Sequence, residues 1–105
     1  MREVANYALL DNDFLKKINW HVLLPVEVAH PLSDQATTLT DSLVVSLLKN
    51  IDDASAQHEE LSFFEWARTW TADSAKKGAV HERQVLAGSK YQRKQPTDFY
   101  EGEIG

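Results

Sequence analysis

Side chains that could do chemistry are present in this chain, but their spacing argues against most of the chemistries they could perform. Glu27 and His30 have the Glu-x-x-His spacing that puts two ligands on one helical face in di-iron bundles. Such a centre needs the motif twice plus two further carboxylates. Here it occurs once, between Pro25 and Pro31, where a helix is disfavoured. His58-Glu59-Glu60 and His81-Glu82 set acids beside histidines without ligand spacing, so neither a metal nor a cofactor is expected. There is no glycine-rich phosphate loop, no Gly-x-Ser-x-Gly elbow and no His-Glu-x-x-His. With 4 glycines in 105 residues there is little material for a phosphate cradle, and a chain this small rarely builds a deep pocket. An enzyme is not expected.

Two constellations remain, and both are binding chemistries. The first is aromatic. In Leu61-Ser62-Phe63-Phe64-Glu65-Trp66-Ala67-Arg68-Thr69-Trp70, Ser62 and Glu65 have the spacing of a capping box, and Leu61 with Trp66 that of a hydrophobic staple. A helix starting there puts Phe63, Trp66 and Trp70 on one narrow face. Aromatics are enriched at interface hot spots, so this stripe is the first candidate for a partner-binding face. Plain core packing is the competing reading.

The second is electrostatic. The net charge of −5 is unevenly spread. Residues 1–75 carry twelve acids against five Lys/Arg. Residues 76–94 hold Lys76, Lys77, Arg83, Lys90, Arg93 and Lys94 against Glu82 alone, with Tyr91 interleaved. The last eleven residues add Asp98, Glu101 and Glu103. A basic segment can track a phosphate backbone, which makes nucleic-acid binding the alternative function. The acidic body would repel the same phosphates, which ranks it second. A mimic of DNA is weaker still, because the acids are scattered among hydrophobics rather than arrayed in runs.

These residues need elements to position them. Residues 3–24 read as helical with a break at Asp11-Asn12-Asp13, where Asp11 or Asp13 caps a second short helix. Ile18, Trp20, Val22, Leu24, Val26 and Val28 alternate with period two, so helix followed by an extended segment is preferred over 18–28, with a true strand as the rival. From Ser33, a candidate N-cap, to about His58 the apolar positions follow a helical period with an arc wide enough for two neighbours. The aromatic helix would run from Phe63 to about Lys77 and end at Gly78. A short weak helix would follow from Ala79 to Ala87, and beyond Ser89 a polar tail holding Pro96.

The size suits one domain. Hydrophobic residues make up 43%, and the absence of cysteine excludes a disulfide scaffold. The N-terminus lacks the apolar core of a signal peptide, and no apolar run approaches the roughly 20 residues that span a bilayer. The expectation is therefore a mainly all-α domain, a bundle of three to five helices over 1–88 with a flexible tail over 89–105. Its expected function is that of a cytoplasmic, non-catalytic interaction or assembly protein (adaptor, inhibitor or small subunit), self-associating into a homo-oligomer and binding another protein. The tail from Ser89 onward would be a second contact that orders on binding.

Overall fold

The stretch expected to be an aromatic helix is rich in residues that favour a pleated, half-buried surface: Phe63, Phe64, Trp66, Thr69, Trp70 and Thr71. In the computed structural model, which describes residues 1–31 and 33–104, it is a strand. The elements run β1 (Arg2–Glu3), α1 (Asn12–Lys17), α2 (Leu43–Ala54), a 3-10 turn at Ser55–Gln57, β2 (Glu60–Ala72), β3 (Val80–Gln92) and β4 (Asp98–Glu103). The strands form one sheet in the order β1-β2-β3-β4, with β1 parallel to β2 and the other pairs antiparallel. The molecule is an α/β fold, and the helical bundle is overturned.

Three corrections share one cause: contacts distant in sequence outbid local helix signals. Ser62 and Glu65 cap nothing; both lie within β2. The stretch expected to form a weak helix over 79–87 belongs to β3, paired residue for residue with β2 from Val80↔Ala72 to Gln92↔Glu60. Of the flexible tail expected over 89–105, residues 89–92 end β3 and Asp98–Glu103 form β4, which pairs back through Lys90↔Asp98 and Val85↔Glu103; Gly105 lies outside the described residues. Gly78 does stop the preceding element, but as the positive-φ residue (+83°) of the β2–β3 turn. There Asp73 Oδ1 accepts from the Ala75 and Lys76 N–H groups at 2.8 and 3.3 Å. The Ala75 bond is the main reason the Asp73 carboxyl lies below its usual range.

Nearer the N-terminus the helical reading of 3–24 survives only over Asn12–Lys17; Arg2–Glu3 is a strand, and the segments on either side of α1 are irregular because they bond to distant parts of the chain. Asp11 caps α1 by accepting from Asp13 N and Phe14 N. The helix ends with Asn19 at φ +56°, while Asn19 N–H and Trp20 N–H bond back to Lys16 O and Leu15 O, the pattern of a Schellman closure. α2 begins nine residues later than the Ser33 cap implied, because Ser42 is its N-cap and 36–40 is extended. Thr38 bridges Glu27, and Leu39 bridges Leu9. Over 18–28 the chain is extended only at its end: Leu39 N–H reaches Val26 O and Val28 N–H reaches Thr37 O, both at 2.8 Å.

α2 is the hinge of the core. Leu43, Leu47 and Ile51 pack with Phe63, Val85 and Ala87 of the sheet, while Val45 packs with Leu10 and Phe14. The N-terminus of α2 is tied to β4: Ser42 Oγ and Leu43 N–H both donate to Glu101 Oε2, at 2.8 and 2.7 Å, where a carboxylate also suits the helix dipole. Asp41 lies alongside, and burial, with repulsion from Glu101 adding to it, holds its carboxyl above the usual range. Its Oδ1 and the neighbouring Trp20 Nε1 are both buried and make no hydrogen bond of ordinary geometry among the described residues, although the indole N–H beside the carboxylate opposes part of the rise.

Two outcomes follow from this packing. Leu47 has no exposure and sits at the centre of the helix–sheet contact, so Leu47→Ala is expected to cost about 2–5 kcal/mol in urea unfolding. Asp41 holds its proton more tightly when folded than when unfolded, so its penalty is absent below the ordinary carboxylate value of 3.8 and grows as pH rises through the raised one. Asp41→Asn should therefore raise the urea midpoint at neutral pH, by an amount that shrinks on acidification. An unchanged midpoint at neutral pH would count against a desolvated, ionised Asp41.

Candidate functional site

Alternation along β2 and β3 divides their side chains between two faces. Phe63, Glu65, Ala67 and Thr69 face α2, paired with Ser89, Ala87, Val85 and Arg83 of β3. Glu65 is buried on this side, and its carboxylate accepts from Asn6 N at 2.8 Å and Asn6 Nδ2 at 3.0 Å, which anchors the N-terminal segment. The opposite, outer face carries two adjacent rungs across three strands. One is Trp66, Leu86 and Gly102; the other is Phe64, Gly88 and Tyr100. No described element covers this face.

The outer face is aromatic where an uncovered sheet face is ordinarily polar. Trp66 is 63% exposed and Tyr100 52%. Gly88 is required here: a Cβ on it would run into the Tyr100 ring, which lies over the glycine. Gly102 is not filled in the same way, since a Cβ there would meet nothing within 4 Å. Charges flank the strip in matched pairs, Arg68 with Glu82 at 3.0 Å on one side and Lys90 opposite Asp98 on the other.

Of the residues expected on one stripe, Trp66 and Trp70 do share a face, the outer one, with Trp70 half-buried. Phe63 stands on the other side, 5% exposed in the core. The sequence reading missed Phe64, Leu86 and Tyr100. Period two would have found Phe64, but only the register of β3 and β4 brings in the other two.

The basic segment is split. Lys76 and Lys77 lie in the β2–β3 turn and Arg83 near it, whereas Lys90, Arg93 and Lys94 lie at the far end of β3 and in the turn beyond. The ten residue steps from Arg83 to Arg93 correspond to about 33 Å. At that far end Arg93 Nη1 lies 3.9 Å from Glu59 Oε1. Glu27 is in an extended bridge and His30 in a bend, so the helical ligand spacing does not form. Among the described residues no three His, Asp or Glu side chains gather as a metal site. Among the described residues no helix is long and apolar enough to cross a membrane.

A concavity of about 500 Å³ lies between the N-terminal segment, α1 and α2. Leu9, Leu10, Phe14 and Val45 line it, and Lys49 at its rim stands 3.8 Å from both Asp11 and Asp53.

Residues 1–104 match the family model described as the phenylalanyl tRNA synthetase beta chain CLM domain. No curated protein matches the chain. Of the adaptor, inhibitor or small subunit expected from the sequence, the match supports a domain of an aminoacyl-tRNA synthetase subunit and not a generic adaptor. With the match spanning all but its final residue, the chain belongs to the phenylalanyl-tRNA synthetase beta chain CLM domain family.

Proposed function

We propose that the domain is a non-catalytic, protein-binding part of a cytoplasmic phenylalanyl-tRNA synthetase beta chain, and that the outer face of its sheet is the contact surface. The observation that carries this reading is the uncovered strip of Phe64, Trp66, Leu86 and Tyr100. Contiguous exposed apolar surface marks interaction sites, and large aromatics supply most of the binding energy where they are found. A beta chain by its description has a partner chain, so a protein contact fits the family as well as the surface.

Nucleic acid is the reading that the geometry favours less. The six cations fall into two groups at opposite ends of β3, and the charges flanking the aromatic strip are paired with acids. A polyanion would meet no continuous positive track.

Hydroxyl-radical footprinting of the assembled synthetase against this chain alone, diluted to where sedimentation shows it to be monomeric, tests the contact. Trp66 and Tyr100 should be oxidised several-fold more slowly in the assembly, with buried Phe63 slow in both. Equal oxidation of Trp66 and Tyr100 in the two samples would remove the outer face as a contact. Charge reversal at Arg83, Lys90, Arg93 and Lys94 together should leave the affinity of the synthetase for tRNA within about twofold at fixed salt. A drop accompanied by a shallower salt dependence would instead give the basic residues a phosphate-binding role.

A further inference from the structure

We propose that the outer face is covered by a second copy of this chain, packed face to face about a two-fold axis that crosses β3 at Leu86. This rests on the reading above that the face is a protein contact, and it names the partner.

The argument is one of charge. On the outer face of β3, Glu82 and Lys90 stand four residues to either side of Leu86, about 13 Å along the strand in each direction. A two-fold axis lying in the interface and running across the strands turns β3 end for end. Each Glu82 then faces the partner's Lys90, and each Lys90 the partner's Glu82. The alternative axis, along β3, would set Glu82 on Glu82 and Lys90 on Lys90. Like charges facing each other oppose that arrangement, so the pattern on the strand selects the first. The same turn on β2, centred on Trp66, sets Arg68 over the partner's Phe64 ring. The roughly 30° offset usual between aligned sheets displaces the charged positions by about 7 Å at that radius, within reach of Lys and Glu side chains.

Two monomer contacts surround these charges: Arg68 beside Glu82 at 3.0 Å, and Asp98 across from Lys90. Both are exposed and leave each charge open toward solvent.

Sedimentation of the chain over a range of concentrations tests this, with Glu82→Lys, Lys90→Glu and the double variant. The chain should dimerise, each single reversal should raise the dimer Kd about tenfold or more, and the double should restore it to within about threefold. Urea midpoints of all three variants separate association from folding. A chain that stays monomeric at its highest soluble concentration would overturn the second copy while leaving the footprinting result to judge the face. A dimer indifferent to both single reversals, or a double variant that fails to recover although folded, would also overturn it.

Discussion

One helix can cover one face of a sheet, and this constraint organises the whole molecule. α2 buries Leu43, Leu47 and Ile51 against Phe63, Val85 and Ala87. Because strand side chains alternate, committing Phe63 to that core commits Phe64, Trp66, Arg68 and Trp70 to the other side. A slip of one residue in β2 would exchange the sets, burying Arg68 and exposing Phe63. The thirteen β2–β3 pairs fix the register, and with it the rungs that bring Leu86 and Tyr100 beside Trp66 and Phe64. The candidate surface is thus a by-product of how the core is built.

Two carboxylates join parts of the chain that the sheet alone would leave apart. Glu65 reaches from β2 to Asn6, and Glu101 from β4 to the first turn of α2. Each accepts two hydrogen bonds, and bonds to a charged group are stronger than neutral ones. Glu101 therefore orders β4 and α2 together, although 58 residues separate it from Leu43. Asp41 sits in the same corner, with Oδ1 buried and no hydrogen-bond partner for it among the described residues.

What could be read from the sequence was local. Asp11 as a cap, the apolar arc of α2 and its two neighbours all depend on residues within a few turns of one another, and α2 does pack on both the sheet and Phe14. The aromatic segment misled because Phe63, Trp66 and Trp70 satisfy a helical stripe while Phe64, Trp66 and Trp70 satisfy a strand. The β-forming composition of 63–71 and the turn at Gly78 favoured the second, and pairing with β3 decided it. The polar 89–105 region looked loose because its partners are distant: Ser89 faces the core, and Phe99 packs against it. Register is a property of two strands at once, so neither could report it alone.

The charges decide what kind of partner this surface suits. An aromatic sheet face can stack bases as readily as it can bury another protein's side chains, and exposure of Trp66 and Tyr100 fits both. Stacking of single-stranded nucleic acid works together with a positive groove that follows the backbone. Around this strip each cation has an acid beside it, Glu82 for Arg68 and Asp98 for Lys90, so the potential alternates instead of accumulating. Alternating charge is costly to a polyanion but costs nothing to a protein that presents the opposite alternation. An apolar centre with paired charges at its rim has the anatomy of a protein interface, core and rim alike.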